Sequence, residues 1–459
     1  MCVERVSTSK SHILKSWDRI RSSFWFLPVL MSGGAIAMAG VTIALERPVS
    51  ELLRNWGWKM SGGTEGASAL MATVTGSMIT IAGVVFSMTL VALSLTSSQL
   101  GPRLLRNFMR DTTTQVVLGM FVATFLYCLL VLRTIGVVDG DAFVPHVSIA
   151  FGVLLAVVSV GVLIYFIHHV SVSIQANEVV ARVGSELIQG IDRLYPAGSG
   201  QEEHLRSEPP DPGFLEIFKR EARPVCADGD GYLQLIDREA LVELAVEMDL
   251  VIRIELRTGH YIVAGRPLVQ VWPGTLVNDK LIRRINSLFA LGHERMPRQD
   301  VEFMVNQLVE IAVRALSPGL NDPFTAIASV DRLGSGLCRL VQRDVPAAYI
   351  RDEEDRLRII DSVVTFPTIA DTAFNQIRQY GRSSASVTIR MLEIISVIGN
   401  FASRPEDLAA LVRHAEMIAR GACEVLSEEE DRKVVEKCRL VANQLCCRNE
   451  KEKQERVSD

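Results

Sequence analysis

Glu310, Arg314, Asn321 and Asp322 form the densest polar group in the chain. Two carboxylates, a guanidinium and an amide this close together could hold an ion or a small ligand. The plainer reading is a pair of helices joined by a locked turn. Glu310 and Arg314 stand four residues apart, the spacing of an ion pair on one helix face. Asp322 precedes Pro323 as an N-cap precedes the first helical position. The helix-pair reading is preferred.

A second group consists of hydroxyls. Thr73, Ser77, Thr80, Val84, Ser87, Val91, Ser94 and Ser98 follow one another at steps of four and three, and six of these eight are Ser or Thr. Such a seam lets helices pack closely and bond to one another. In a ring of identical helices it would line a wettable pore. Helix packing is the first reading and pore lining the second, because Thr75, Thr89, Thr96 and Ser97 lie off the seam. Arg103, Arg106 and Arg110 follow within eight residues and would favour anions at an inner mouth. They read equally as a basic amphipathic helix on the inner leaflet or as a plain loop.

Other candidates fall away. His168 and His169 are adjacent, so on a helix they point about 100° apart and chelate poorly; an interfacial role is expected. The eight cysteines contain no C-x-x-C pair and read as free thiols in a reducing compartment. Phosphate-loop, dinucleotide, zinc-protease and nucleophile-elbow motifs are missing, so no enzyme, cofactor or metal is expected. A net charge of −5 argues against nucleic acid.

The elements that position these residues divide the chain of 459 residues sharply. Nearly all the apolar excess precedes Ile167. Uncharged runs of 22, 37, 21 and 26 residues cover 24–45, 66–102, 112–132 and 142–167. Each exceeds the roughly 20 residues that span a bilayer as helix. Ala37-Met38-Ala39 resembles a signal cleavage site, but the run continues to Leu45, which favours an uncleaved anchor. No Asp, Glu, Lys or Arg lies within a run, which argues against an ion-coupled transporter. Arg5, Lys10, Lys15, Arg19 and Arg21 precede the first run, and the arginines at 103–110 follow the second. This asymmetry places both termini in the cytoplasm.

The expected fold is therefore a membrane α-helical domain of four transmembrane helices plus a cytoplasmic α+β domain, with a small β module and a C-terminal helical bundle. The divisions are a cytoplasmic N-terminal segment (1–23), the transmembrane domain (24–169), a helical stalk (170–195) and a linker (196–213). A β-rich module (214–275), a helical domain (276–447) and a disordered tail (448–459) complete the chain. The stalk is expected to continue the fourth span as one helix. Its seam Val170, Ile174, Asn177, Ala181, Gly184, Ile188, Ile191 and Tyr195 should pack on a copy of itself or on another part of the chain. In the module, residues 259–272 read as two short strands around Ala264-Gly265. Their spacing resembles biotinyl and lipoyl hairpins, but no lysine occurs between Lys219 and Lys280 to serve as a swinging arm.

The runs FSMTLVALSLTSSQLGPRLLRNF (86–108), GYLQLID (231–237), DVEFMVNQLVEIAVRALSPGLNDPFTA (300–326) and AFNQIR (373–378) resemble the bacterial membrane proteins grouped as domain of unknown function 2254. The resemblance covers about residues 20 to 425. It implies a multi-pass protein of the bacterial inner membrane and assigns no reaction and no catalytic residue. Two functions are then expected. The first is a non-enzymatic membrane scaffold or sensor whose cytoplasmic domain meets a protein partner. The second is a homo-oligomeric passive ion channel lined by the second span.

Overall fold

The structure is a computed structural model that describes residues 25–55, 63–101, 111–138, 141–173, 175–195 and 209–458. The N-terminal segment 1–23, the arginines Arg103, Arg106 and Arg110, and most of the linker lie outside the described residues. The chain forms two compact units, 1–178 and 179–459.

The first unit holds four helices long and apolar enough to cross a membrane. They are α1 (Phe26–Asn55), α2 (Thr64–Leu100), α3 (Thr112–Thr134) and α4 (His146–Ser173). A short antiparallel hairpin, β1 (Gly136–Val138) with β2 (Asp141–Phe143), joins α3 to α4. Helix α3 is central: Val117, Leu118, Phe121, Tyr127, Cys128 and Val131 are all buried. A Cβ on Gly119 would meet Met31 Sδ at 2.6 Å and the Pro28 backbone at 3.2 Å, so that glycine sets how closely α1 approaches α3. The outer faces are strongly apolar, with Val91 65 %, Val157 64 % and Ile164 66 % exposed. A water-soluble protein seldom tolerates so large an apolar surface; a bilayer demands it.

The second unit begins within α5 (Ala176–Leu194), which α6 (Pro212–Glu221) follows. Strands β3 (Arg223–Cys226), β4 (Gly231–Ile236), β5 (Val251–Ile254), β6 (Tyr261–Ile262), β7 (Pro267–Trp272) and β8 (Phe289–Gly292) follow, with α7 (Arg238–Glu247) and α8 (Asp279–Ser287) between them. Then come α9 (Val301–Ala315), α10 (Pro323–Val341), β9 (Tyr349–Arg351) and β10 (Leu357–Ile360). The chain ends with α11 (Phe366–Gly381), α12 (Ala385–Phe401), α13 (Pro405–Cys423) and α14 (Glu429–Ser458).

The strands make a five-stranded sheet ordered β3-β7-β5-β10-β9 and a three-stranded sheet ordered β6-β4-β8. Leu233, Ile236, Leu241, Leu244, Ile252, Val269, Val271, Ile285 and Ile359 form one core between the strands and α7 and α8. The predicted strand 231–236 and the helices near 301–315 and 323–340 are present at those positions.

Several expectations need correcting. The last span and the stalk are not one helix, since α4 stops at Ser173 and α5 starts at Ala176. Ser171 bonds back to the Ile167 carbonyl at 2.7 Å beside β-branched Val170 and Val172, both weak supports for a continuing helix. The buried face of α5 is Val179, Val180, Val183, Gly184, Leu187, Gly190 and Ile191, and only part of the expected seam shares it. Its partner is the chain itself. A Cβ on Gly184 would lie 2.9 Å from Arg332, one on Gly190 2.3 Å from Met304, and one on Gly336 2.6 Å from Leu187.

Strands β6 and β7 do not pair with each other, so the supposed hairpin is divided between two sheets. The β region also does not end near 275: β8 pairs with β4, and β10 returns parallel to β5 from about 100 residues later. Such pairing leaves no local mark, because it depends on a distant partner. Helix α6 starts at Pro212 inside the expected linker, with Asp211 accepting from Gly213 N–H. Finally, the charged tail from Arg448 continues α14 to Ser458, where Glu, Lys, Gln and Arg are all good helix formers.

Candidate functional site

On α2 the six hydroxyls Thr73, Ser77, Thr80, Ser87, Ser94 and Ser98 are all exposed. The helix buries Met71, Thr75, Met78, Ala82, Val85, Ala92 and Thr96 instead. The two stripes are offset by two residues, about 200° round a helix. The seam therefore faces away from α3, and packing among the chain's own spans does not explain it. Thr73, Ser77 and Thr80 each donate to the carbonyl four residues back, at 2.7, 2.7 and 2.8 Å, and Ser98 donates to Leu95 O at 2.9 Å. A hydroxyl satisfied by its own helix can face hydrocarbon without a large penalty. Gly76 and Gly83 lie on the same unbroken helix, and among the described residues nothing stands within 4 Å of where their Cβ atoms would be.

The motif cluster resolves into local pairs. On α9, Arg314 Nε lies 3.5 Å from Glu310 Oε1. Asp322 caps α10, accepting from Thr325 N–H at 3.1 Å and from Thr325 Oγ1 at 2.6 Å. These bonds from Thr325 outweigh a small burial penalty and hold the Asp322 carboxyl below its ordinary value. Asn321 takes a left-handed φ of 46°, which Asn tolerates better than most residues. Its N–H bonds Ser317 O at 2.9 Å, and Asp322 N–H bonds Ala315 O at 2.8 Å, which closes the turn onto α9. Leu320 and Phe324 flank the turn, 45 % and 80 % exposed.

Two polar ties in the first unit escape the sequence reading. Glu46, at the end of the apolar span within α1, is 3 % exposed and accepts from the N–H groups of Val147 and Ser148 at 3.1 and 3.3 Å. It thus satisfies the free donors at the start of α4, where a negative charge is favoured. Tyr127 on α3 donates to Ser148 O at 3.0 Å and lies 2.9 Å from Thr42 Oγ1. The second tie joins Asp111 to His169 Nε2 at 2.9 Å. Asp111 also caps α3 through Thr113 N–H at 3.2 Å and Thr114 Oγ1 at 2.8 Å. Burial opposes its ionisation, but the His169 and Thr114 bonds leave the carboxyl below its usual value. A clue to the first tie was available, since Glu46 directly follows an uncharged run. Nothing in the sequence pairs Asp111 with His169 across 58 positions.

A family model described as predicted membrane protein, domain of unknown function 2254, matches residues 21–396. The chain belongs to this family. Among its relatives is the uncharacterized protein Rv1290c of Mycobacterium tuberculosis, 33 % identical over 430 residues that cover 91 % of this chain and 80 % of that one. The uncharacterized protein Mb1321c of Mycobacterium bovis matches to the same extent. No solved structure matches. In this DUF2254 protein the motifs quoted above lie on α2, β4, α9, α10 and α11, and so occur in both units.

Proposed function

We propose that this protein is a non-enzymatic sensor or scaffold of the bacterial inner membrane, with both termini and the second unit in the cytoplasm. The observation that carries the reading is the seating of α5. Two residues separate the end of the last span from a helix whose Val183, Leu187 and Ile191 are core residues of the second unit. On this reading a displacement of α4 is passed to α5 and so to the core of the second unit. A cytoplasmic protein partner is the natural recipient of such a signal.

The test is amide hydrogen exchange on the full chain in nanodiscs of thin and thick lipids. Exchange across residues 179–194 should change with bilayer thickness. Inserting a Gly-Ser pair between Ser173 and Ala176 should remove that response. An α5 indifferent to thickness in the unaltered protein sinks the proposal.

One observation favours the second reading, a homo-oligomeric pore: the hydroxyl seam is turned away from the chain's own spans. That leaves lipid or a second copy to cover it. Cysteines at Thr80, Ser87 and Ser94 that react with water-soluble reagents, in protein that conducts in planar bilayers, would establish the pore. Unreactive cysteines in a non-conducting protein would retire it.

A further inference from the structure

Many arginines of the second unit are neutralised by a neighbouring carboxylate. Arg404 pairs with Asp407, Arg413 with Asp371, Arg390 with Asp331 and Glu393, and Arg439 with Glu416 and Glu436. Arg378, Arg382 and Arg420, like Arg182, Arg257, Arg266 and Arg332, are not. Among the described residues none of them has a carboxylate within 4.0 Å. Arg378, Arg382 and Arg420 nevertheless converge on one cleft of about 350 Å³ between the last turns of α11 and α13, which Met417, Gly421 and Glu424 also line.

Arg378 is the deepest of the three. Arg378 Nε is buried and has no hydrogen-bond partner among the described residues. Asp371, on the same helix, is engaged elsewhere. It accepts from Arg413 at 2.6 Å and has His414 Nε2 at 2.9 Å on the same oxygen. Negative helix ends favour a cation in each last turn, but they do not account for a buried guanidinium donor left without an acceptor. Gly421 adds a second feature: nothing lies within 4 Å of where its Cβ would be. The wall of the cleft is open there because the residue is glycine.

We infer that this cleft binds the phosphoryl group of a small phosphorylated molecule. Guanidinium forks match phosphate oxygens two at a time and stay charged at any physiological pH. Three arginines against the single Glu424 leave an excess of positive charge suited to a dianion. The volume lies at the lower end of small-molecule sites, which span roughly 300–1,000 Å³. The inference goes beyond the sensor reading and holds whether or not the site is coupled to the membrane.

The test is calorimetric titration of pyrophosphate into the full-length protein in zwitterionic nanodiscs, at ionic strength matched with sodium chloride. Saturable binding with one site per chain is expected. Arg378→Gln and Arg420→Gln should each weaken it by about tenfold or more, as expected for a lost charge-assisted bond. Arg382→Gln, at an exposed position, keeps the test valid if Arg378→Gln fails to fold. Gly421→Leu leaves the charge unchanged and should abolish binding by filling the cleft. Arg266→Gln, a charge loss elsewhere, should change nothing. Discs containing phosphatidic acid separate two sources of the group: unchanged affinity indicates a soluble ligand, and competition indicates a lipid headgroup in the same cleft. Absence of saturable binding overturns the inference, as does binding by Gly421→Leu equal to that of the unaltered protein.

Discussion

The two units solve the same problem, that of satisfying polar groups, in opposite ways. In the first, hydroxyls bond to their own helix, as Thr73, Ser77 and Thr80 do, and large apolar side chains point outward. Two of its carboxylates satisfy helix starts, Glu46 that of α4 and Asp111 that of α3. In the second, apolar side chains point inward, and buried charges are paired across elements. Arg358, 3 % exposed, lies 2.8 Å from Asp352 and 2.7 Å from Asp249, and Asp300 lies 2.8 Å from Arg295. The lesson is that the surroundings, not helix-forming tendency, set the pattern. Where water is absent a lipid-facing polar group must find its partner within its own segment, and one buried between helices can use a neighbouring helix, as Tyr127 does with Ser148; where water surrounds the fold, exposed groups need no protein partner at all.

The comparison can be broken or sharpened by substitution. The largest effect is expected at Leu187, which is 1 % exposed on α5. Leu187→Ala should destabilise the second unit by about 2–5 kcal/mol, whereas Ile188→Ala, half-buried on the same helix, should cost well under half as much. Denaturant unfolding of the full chain in nanodiscs would show it. Equal costs would mean that α5 is not a core helix.

Next in size is an outward charge. Val157→Asp on α4 should disfavour membrane insertion by about 2.5–3.5 kcal/mol. Val246→Asp, at a position 43 % exposed on α7 of the second unit, should change stability by no more than about 0.5 kcal/mol. Insertion efficiency and unfolding midpoints measure the two. If Val157→Asp inserts normally, the outer face of α4 does not meet lipid.

A third effect depends on pH. Burial pushes fully buried His414 down to about 4, only partly offset by nearby Asp371. The unfolded chain then binds more protons than the folded one between its ordinary value, about 6.5, and 4. Stability from this group is present above pH 6.5 and lost as pH falls, by about 2 kcal/mol between pH 7 and 5. His414→Gln should flatten that slope. An unchanged slope would show that other groups govern acid unfolding.

Smaller again is the cap on α10: Asp322→Ala should cost about 0.5–2 kcal/mol. A cost near zero would reopen a ligand role for the motif turn. Smallest is Thr80→Val, expected to stay within about 0.5 kcal/mol because that hydroxyl bonds its own carbonyl. A loss well above that would place a second helix against the seam.

How much could be read in advance follows the same division. The four spans were legible because a bilayer imposes length and lack of charge on each segment separately. The turn at Asn321-Asp322-Pro323 was legible too, since caps act within three or four residues. Which side of α2 the hydroxyl seam would face was not, because two stripes two residues apart are equally regular in sequence. The stalk failed for a related reason. Its periodicity announced a buried face, but the choice among faces belonged to Arg332, Met304 and Gly336, which lie on other elements.

The sequence by itself thus determined the division into a lipid-facing part and a water-facing part, and the local signals that start and stop helices. These rest on short-range physics: the solvent each segment needs and the backbone groups each helix end must satisfy. Only the tertiary structure decided the split of the strands at 259–272 between two sheets and the return of β10 beside β5. Only it joined Asp111 to His169 and brought Arg378, Arg382 and Arg420 to one cleft. In each case the partners are far apart in sequence. Their meeting depends on how whole elements pack, and that is not encoded in any single window of residues.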